Sequence, residues 1–402
     1  MPIELLIELN IMVESRKDSR MNCVFGKIIY TGQSLRENAF LKFKNHLIAG
    51  ISTTAEGRLL GKFDVITPAF IDPHSHIGMN RAGEPMDQGE ANEKMSAFPV
   101  LSDALDSLQM DDDAFKDAME MGVLYSCIVP GSGNIIGGRS AVIRHWAKHS
   151  TGALVSRAGI KAALGYNPMA TQDWKGERPS TRMGAMGLLR GQLEDVRQKM
   201  ETLSRAKGEK KEEIHFSATQ SVFKDILEGK ETLRIHVHKI DDIAAMLRLV
   251  DEFNLRVTVD HAMGVHGPDI FSELKKVDIP VVYGPIDGFA YKVELKHENW
   301  KNIQHLLDSG VKYGLMTDHP VIPARNLLLQ TRWFIRAGLS KQQAVELISR
   351  SNAEILGIDQ MLGTLKKGRW ASFVCWNGDP FDLTRYPVAV FAEGSKVYPY
   401  VA

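Results

Sequence analysis

The consecutive segments LRIHVH (233–238), DDIAAMLRLVDEFN (241–254) and LRVTVDH (255–261) predict a strand, a helix and a second strand. The first and third segments are short and apolar, as buried strands are. In the middle segment, apolar residues recur at the i, i+3, i+4, i+7 spacing of an amphipathic helix. Asp241 and Asp242 suit its first turn, where the helix dipole favours negative charge. This order predicts two parallel strands joined by a helix.

The same alternation continues through the middle of the chain, from about residue 68 to residue 357. IPVVYGP (279–285) and VKYGLMTD (311–318) are the predicted strands of a further unit. The predicted fold class is therefore α/β. A run of this length favours a (β/α)8 TIM barrel, with a doubly wound sheet as the second choice. The pattern does not resolve every strand between 78 and 230. The charged stretch 188–232 is predicted to be a solvated helical insertion.

Both ends of the chain contain short β-rich runs separated by Gly, Asn, Ser and Pro. Such runs are typical of strands joined by turns. Residues 22–67 and 358–402 flank the predicted barrel, 68–357, so we expect them to combine into one small composite β-sandwich domain. Residues 1–21 show no clear period and are assigned to an N-terminal extension.

Composition excludes several classes of protein. The 402 residues carry 49 basic and 49 acidic side chains, and 44% are hydrophobic. Disorder requires low hydrophobicity with high net charge, and binding to nucleic acid without sequence preference requires a basic surplus. The chain has neither. Three cysteines without a C-x-x-C pair favour a reducing compartment. The sequence contains no run of 18 apolar residues and no basic, apolar leader, so we predict no membrane span and a cytoplasmic location.

The strongest chemical signal is AFIDPHSHI (69–77), where an apolar run ends in His74 and His76. In a strand, residues i and i+2 point to the same face, so both imidazoles leave the strand end side by side. Two nitrogen ligands converge on one metal ion in this way. The alternative is that one of the two is a hydrogen-bonded core histidine.

Three further predicted strands also end in polar residues. His236 and His238 close the strand at 233–238, His261 closes the next, and Asp318 closes the strand at 311–318. In a (β/α)8 barrel the C-terminal strand ends form the mouth of the active site. Imidazole and carboxylate ligands without a thiolate suit Zn²⁺, Mn²⁺, Fe²⁺ or Co²⁺, with Zn²⁺ as the default expectation.

The chain resembles the amidohydrolase superfamily, and its imidazolonepropionase-related and prolidase-like members in particular. The resemblance rests on two segments, VITPAFIDPHSHIG (65–78) and SNAEILGIDQMLGTLKKGRWASFVCWNGDPFD (351–382). It rests also on the order along the chain of the polar residues that end the predicted strands, His74, His76, His236, His261 and Asp318. It implies a distorted (β/α)8 barrel with a β-sandwich made from both termini. It also implies a homodimer or larger homo-oligomer and a site with one or two divalent metal ions. The implied metal ligands are His74, His76, His236, His261 and Asp318.

The resemblance also implies roles in catalysis. Asp318 would take a proton from the metal-bound water as well as contact the metal, and His261 would help to polarise a carbonyl. His238 has no fixed family role, and we interpret it as a substrate-contacting or supporting group, with a buried hydrogen-bonded histidine as the alternative. Superfamily deaminases usually place a Glu shortly after the histidine that matches His236. Here the sequence continues Val237-His238-Lys239, which favours hydrolysis of a cyclic amide, amide or small dipeptide-like bond over deamination.

Lys161, in GIKAALGYNP, is the candidate for a bridge between two metal ions. Binuclear members of the superfamily place a carboxylated Lys or a Glu on the fourth strand. A free ammonium is repelled by two cations, whereas its carbamate is an anion. The alternative is a lysine that reaches solvent or pairs with an anion, and mononuclear members need no such residue.

Two residues are candidates for binding a small-molecule substrate. Asn134 lies in GSGNIIGG (131–138), which lacks the G-x-G-x-x-G spacing and is interpreted as a tight active-site loop. Arg182 has the planar fork that suits a substrate carboxylate, with an ordinary ion pair as the alternative. The sequence thus predicts a metal-dependent amidohydrolase. Two other functions stay open: the same site acting on an ester, lactone or phosphotriester, and a non-catalytic scaffold on the same fold.

Overall fold

The structure is a computed structural model that describes residues 20–207, 211 and 213–399. Within these residues the strands form two sheets, one with seven strands in the order β15-β14-β13-β4-β1-β2-β3 and one with eight in the order β12-β11-β10-β9-β8-β7-β6-β5. The strands are β1 (Asn22–Tyr30), β2 (Leu35–Lys44), β3 (Leu47–Ser52), β4 (Arg58–Pro68), β5 (Phe70–Ser75), β6 (Val123–Ile128), β7 (Ile136–Arg144), β8 (Leu154–Ala163), β9 (Leu233–Val237), β10 (Val257–His261), β11 (Val281–Tyr283), β12 (Tyr313–Leu315), β13 (Phe373–Trp376), β14 (Pro387–Ala392) and β15 (Ser395–Tyr398).

Helices connect most of the strands of the eight-stranded sheet. They are α1 (Ala114–Glu120), α2 (Ser150–Ala153), α3 (Tyr166–Met169), α4 (Arg182–Arg205), α5 (Ala218–Leu227), α6 (Ile240–Phe253), α7 (Asp269–Lys276), α8 (Ile303–Ser309), α9 (Leu327–Arg336), α10 (Lys341–Glu346) and α11 (Asn352–Leu356). In the described part of the chain, no helix combines the length and the apolar character that crossing a membrane would need.

The eight-stranded sheet is a nearly closed barrel. Strands β8 to β12 run parallel to one another, and β5 is parallel to β6. Strand β7 is antiparallel to both of its neighbours, β6 and β8. The predicted α/β class and barrel architecture are therefore confirmed in coarse form. The region where the sequence pattern could not resolve strands contains this antiparallel insertion, in which a helix of only four residues, α2, separates β7 from β8.

The ends of β5 and β12 meet where the barrel closes. The backbone N–H of Asp318 donates to the carbonyl of His74 at 3.1 Å, and that of His76 donates to the carbonyl of His319 at 2.9 Å. These bonds lie at the C-terminal ends of the two strands. The first and last strands of the barrel are therefore joined at the point where their polar residues emerge.

Deeper in the barrel, the Asn352 side chain joins the same two strands. Its Nδ2 donates to the carbonyls of Ile71 and Leu315 at 2.7 and 2.9 Å, and its Oδ1 accepts from the Leu315 backbone N–H at 3.1 Å. Gly314 makes room for this amide, because a Cβ there would lie 2.1 Å from Asn352 Oδ1. The buried side-chain amide of Asn352 therefore takes the place of backbone hydrogen bonds between β5 and β12 at this level of the barrel.

Both termini contribute to the seven-stranded sheet, as expected. Strand β4 pairs in parallel with β1 on one side and antiparallel with β13 on the other. All seven strands belong to one hydrogen-bonded sheet, so the predicted composite β-sandwich domain is confirmed in the coarser form of an extra sheet domain made from both termini. This sheet curls over its own core, since Phe43 on β2 packs 5.3 Å from Phe373 on β13 and 5.8 Å from Phe391 on β14, measured between ring centroids. Residues 1–19 of the predicted N-terminal extension lie outside the described residues.

The charged stretch 188–232 is helical, as predicted, but not simply solvated. Leu189, Leu193 and Val196 of α4 are buried, and so are Phe223 and Ile226 of α5. Charged residues lie between these buried positions, so α4 and α5 are amphipathic helices although the stretch as a whole is rich in charge. Residues 208–210 and 212 lie outside the described part.

Candidate metal centre and active-site cavity

A cavity of about 330 Å³ opens at the C-terminal ends of the barrel strands. His76, His236, His238, His261 and Asp318 line it. Its outer wall comes from the loop that follows β11 and includes Phe289, Tyr291 and Lys292. The strand ends therefore bring the polar residues predicted from the sequence to one chamber, and His74 lies behind it as a fully buried side chain.

His74 and His76 lie at the end of β5, and a hydrogen bond at Nδ1 orients each imidazole. The His74 Nδ1–H donates to Asp260 Oδ2 at 2.7 Å, and the His76 Nδ1–H donates to the carbonyl of Val129 at 2.8 Å. Carboxylate and carbonyl oxygens only accept, so these bonds set the tautomer. The Nε2 atoms then face Asp318 Oδ1, at 3.5 Å from His74 and 3.1 Å from His76.

His261 is the last residue of β10 and Asp318 follows β12 by three residues, and both lie in the left-handed region, with φ of 84° and 50°. A positive φ is unfavourable for these residue types, and such strain occurs often at functional sites. The His261 Nδ1–H donates to the carbonyl of Gly284 at 2.9 Å. Gly284 has φ of 123°, and a Cβ there would lie 2.9 Å from the carbonyl oxygen of Met316. The turn after β11 therefore requires glycine where it holds His261.

His236 and His238, at the end of β9, complete the group. Their ring centroids lie 4.2 and 4.8 Å from that of His261. His236, His238 and His261 each offer a nitrogen such that all three atoms lie within 4.8 Å of one another, and so do the ligand atoms of His74, His261 and Asp318. His261 belongs to both groups, so the two are contiguous.

Burial sets the charge of these side chains. It lowers the pKa of His74, and it lowers those of His236 and His238 well below the usual range. Burial also lowers the pKa of His261 to about 3. Burial acts in the opposite direction on Asp318, but neighbouring imidazoles, His261 first, hold its pKa below the usual range. At neutral pH these four imidazoles are therefore neutral, and the Asp318 carboxylate beside them is anionic.

These residues fit a divalent metal ion. The Nε2 atoms of His74 and His261 are buried and have no hydrogen-bond partner. Leaving a buried polar atom unpaired costs about 1–3 kcal/mol, so such atoms call for a ligand. Metal-binding histidines typically donate their other N–H to a carboxylate or carbonyl, as His74, His76 and His261 do here. Nitrogen and oxygen donors suit zinc and neighbouring transition metals.

Lys161 lies inside the barrel. It pairs in register with Arg234, two residues before His236, and its side chain is fully buried. The ammonium donates to the carbonyl of Pro130 at 3.1 Å and to Ser132 Oγ at 2.8 Å. Burial lowers its pKa to about 8. The alternative of a lysine that reaches solvent is therefore wrong, and a fraction of the amine is neutral near physiological pH.

The structure does not bring the two predicted substrate-binding residues into the cavity wall. Arg182 Nε donates to Asp242 Oδ1 at 2.7 Å, and its NH2 lies 3.4 Å from Glu294 Oε1. The ion pair left open as the alternative is therefore what the structure shows. Asn134 is buried, donates to the carbonyl of Glu93 at 2.8 Å and accepts from Arg178 at 2.7 Å.

Sequence reasoning missed two residues next to the site. Asp260 is fully buried behind His74, and strand alternation places it on the same face as Thr258, which donates to its Oδ1 at 2.8 Å. The alternation along β10 could therefore have indicated that the Asp260 side chain points into the protein next to Thr258. Lys292 lies in an irregular loop, where no periodicity indicates which side chains turn inward. No sequence signal could have identified it.

A family model described as "Amidohydrolase family" matches residues 194–398, just over half of the 402 residues. The chain belongs to this family. The superfamily membership predicted from the strand-end residues is thereby confirmed. The matched range contains His236, His261 and Asp318 and begins after the His74–His76 pair.

Similar proteins are amidohydrolases as well. Amidohydrolase tasK of Hapsidospora irregularis is 26% identical over 366 residues, which cover 86% of this chain and 37% of that protein. This amidohydrolase thus spans little more than a third of the length of its curated relative. An amidohydrolase structure from Thermotoga maritima MSB8 is 29% identical, with a TM-score of 0.88 over 94% of this chain and 99% of that chain. A prolidase complexed with N-methylphosphonate-L-proline, 14% identical with a TM-score of 0.61 over the same shares of each chain, supports the fold alone.

Proposed function

We propose that this amidohydrolase hydrolyses a C–N bond with the help of a divalent metal ion, zinc in the first instance. His74, His76, His236, His261 and Asp318 would hold the ion. The observation that carries the proposal is the pair of buried, unpartnered Nε2 atoms on His74 and His261, which face the Asp318 carboxylate with their Nδ1 atoms already engaged. A scaffold without a ligand gains nothing from this arrangement, which leaves buried nitrogens unpaired.

The residues of the site have distinct roles in such a reaction. When bound, the ion lowers the pKa of a water molecule from about 15.7 towards 7 and polarises the substrate carbonyl. The Asp318 carboxylate, anionic at neutral pH, accepts a proton from the attacking water and returns it to the departing nitrogen. Asp260 holds His74 in the tautomer that leaves Nε2 free. His238 lines the cavity beside His261, where it contacts the substrate.

The preference for a C–N bond rests on two observations. The three residues directly after His236, Val237-His238-Lys239, do not include the Glu that superfamily deaminases usually place there as a proton shuttle. The names of two similar proteins, both amidohydrolases, agree with amide hydrolysis. An amine leaving group needs a proton before it departs, and Asp318 is placed to supply one.

The chemical form of Lys161 depends on how many metal ions the site would hold. As its carbamate it would be an anion that bridges two ions, and its lowered pKa favours the neutral amine that reacts with carbon dioxide. As a free amine it keeps its bonds to Pro130 and Ser132. Two metal equivalents per chain would assign the carbamate, and one would assign the free amine.

The test combines metal analysis with a substrate panel. We expect untagged protein to contain one or two equivalents of a transition metal by plasma mass spectrometry. We also expect it to hydrolyse members of a panel of N-acyl amino acids, dipeptides and cyclic amides, in a reaction abolished by chelator and restored by zinc. His76→Gln should lose both metal and activity, whereas His215→Gln, at an exposed histidine, should lose neither.

Two results would contradict the proposal. If the protein contains no metal after incubation with Zn²⁺, Mn²⁺ and Fe²⁺, the chain is a scaffold on this fold. If metal is present but nitrophenyl esters, lactones or phosphotriesters are turned over at least 100-fold faster than every amide, the C–N assignment is wrong.

A further inference from the structure

Lys292 is the cationic side chain in the cavity wall, judged over the described residues that line it. It lies in the loop after β11, and only 3% of its side chain is exposed. A buried ammonium is costly unless it is well paired. Its position inside the cavity that holds the proposed reaction therefore needs an explanation.

Lys292 has too few close acceptors for its three N–H donors. Its Nζ donates to Asn167 Oδ1 at 2.8 Å, but His236 Nε2 and Glu294 Oε2 each lie at 3.5 Å. Contacts of 3.5 Å are at the limit of a hydrogen bond, so neither of these two acceptors satisfies the ammonium well. The ammonium then keeps one short hydrogen bond and at least one donor directed into the cavity.

Glu294 does not use Lys292 as its main partner. Its Oε1 accepts from the Tyr166 backbone N–H at 2.7 Å and lies 3.4 Å from Arg182 NH2. Arg182 in turn is bound to Asp242. This network anchors Glu294 from outside the cavity, so Glu294 and Asn167 fix the position of Lys292 and leave its inward side for a ligand.

The rest of the outer wall is apolar. Phe289 and Tyr291 line the cavity with 84% and 64% of their surface exposed, and Met263, Leu295 and Val321 lie in the same wall. Exposed aromatic side chains at the mouth of a cavity gain free energy when a ligand covers them. The wall therefore combines one cation with a surface that suits an apolar group.

We infer that Lys292 binds the carboxylate of the substrate and that the substrate class is N-acyl amino acids with an apolar side chain. This inference rests on the proposed function. Because Lys292 Nζ lies 3.5 Å from His236 Nε2, a carboxylate on it must sit close to the reacting amide. The α-carboxylate, two bonds from the scissile nitrogen, meets that requirement. The apolar side chain then packs on Phe289 and Tyr291, and Lys292 takes the role that the sequence suggested for Arg182.

The test compares two probes that differ only in the carboxylate, N-acetyl-L-phenylalanine and N-acetylphenethylamine. Metal-loaded wild-type protein should hydrolyse the first with a kcat/KM about 10- to 100-fold higher, the range typical of a hydrogen bond to a charged group. Lys292→Met should lose that preference through a higher KM for N-acetyl-L-phenylalanine and change the rate on N-acetylphenethylamine less than threefold. Lys292→Arg should keep part of the preference. Lys301→Met, at an exposed lysine, is the matched control.

Equilibrium binding separates this inference from the proposed function. L-phenylalanine should bind metal-loaded protein more tightly than phenethylamine does by calorimetry, and Lys292→Met should abolish the difference. If no amide is hydrolysed but this binding difference holds, the carboxylate site stands and the hydrolase proposal fails. An equal loss on both substrates would show that Lys292 acts on the amide itself and would overturn the inference. So would a wild-type protein that shows no preference for the carboxylate in hydrolysis or in binding.

Discussion

Replacement of Asp260 by asparagine tests whether the residue behind His74 prepares the metal site. Asp260 is fully buried, accepts from His74 at 2.7 Å and accepts from Thr258 at 2.8 Å. Asparagine keeps the shape and one acceptor oxygen but removes the charge. The His74 Nδ1–H then meets a weaker acceptor, so the imidazole is less firmly fixed and its Nε2 is a poorer ligand.

The size of the effect follows from the surroundings of Asp260. Burial raises the pKa of a carboxyl group, yet the hydrogen bond from His74 and the positive charges nearby bring that of Asp260 from 3.8 to about 2. At about 1.4 kcal/mol per pKa unit, this shift corresponds to about 2 kcal/mol of stability. Partners that support metal ligands are typically worth 10- to 100-fold in metal affinity. We therefore expect Asp260→Asn to weaken zinc binding by that factor and to destabilise the metal-free protein by about 2 kcal/mol.

Two assays measure these effects. Zinc titration against a competing chromophoric chelator gives the affinity, and urea unfolding of metal-free protein gives the stability. A depressed carboxyl pKa adds stability above the unfolded value, which is lost as the pH falls towards the folded value. The stability difference between wild type and Asp260→Asn should therefore shrink as the pH falls from about 4 towards 2. Asp308→Asn, at an exposed aspartate, is the control. Zinc affinity within threefold of wild type would refute the role of Asp260.

Three other substitutions test separate parts of the structure. Asp318→Asn should lower the rate of hydrolysis by about 10²- to 10⁴-fold in steady-state kinetics, because the amide cannot accept the proton of the attacking water; a loss below tenfold would exclude this role. Asn352→Ala should destabilise the protein by about 3 kcal/mol in urea unfolding, since the three buried hydrogen bonds that join the Asn352 side chain to β5 and β12 are lost; a loss below 1 kcal/mol would mean that the two strands rearrange to pair without it. Arg178→Lys should destabilise the protein by about 1–3 kcal/mol in urea unfolding, because lysine cannot donate at once to Asn134 and the Ser96 carbonyl; unchanged stability would show that the loops containing Ser96 and Asn134 hold without it.

Sequence periodicity identified the polar strand ends because the period of a strand fixes where each side chain points. His74, His76, His236, His261 and Asp318 were found in this way, and the structure brings them together. The orientation of the His261 imidazole depends also on its backbone conformation, which periodicity does not predict. At a φ of 84° the chain turns at the end of β10, so that Asp260 supports His74 while the adjacent His261 faces the metal site.

The parts that sequence reasoning missed depend on short connections and on side-chain contacts in loops. The antiparallel β7 pairs with the strands directly before and after it, and the helix α2 that follows it has only four residues, too few to show a helical period. Lys292 is turned inward by Asn167 and Glu294, and Arg182 is held outside the cavity by Asp242. Side chains in loops follow the contacts that the loop makes, so no local spacing distinguishes the cation that enters the cavity from the one that does not.

The imidazoles of the site differ in how firmly they are held. His74, His76 and His261 each have Nδ1 bound to a carboxylate or carbonyl, so their Nε2 atoms are oriented before any ion arrives. His236 and His238 have no partner for Nδ1. Ligands that are already oriented lose less conformational freedom on binding. The ion should therefore bind first among the three fixed histidines and Asp318, with His236 and His238 ordered only afterwards, because their imidazoles still have conformational freedom to lose.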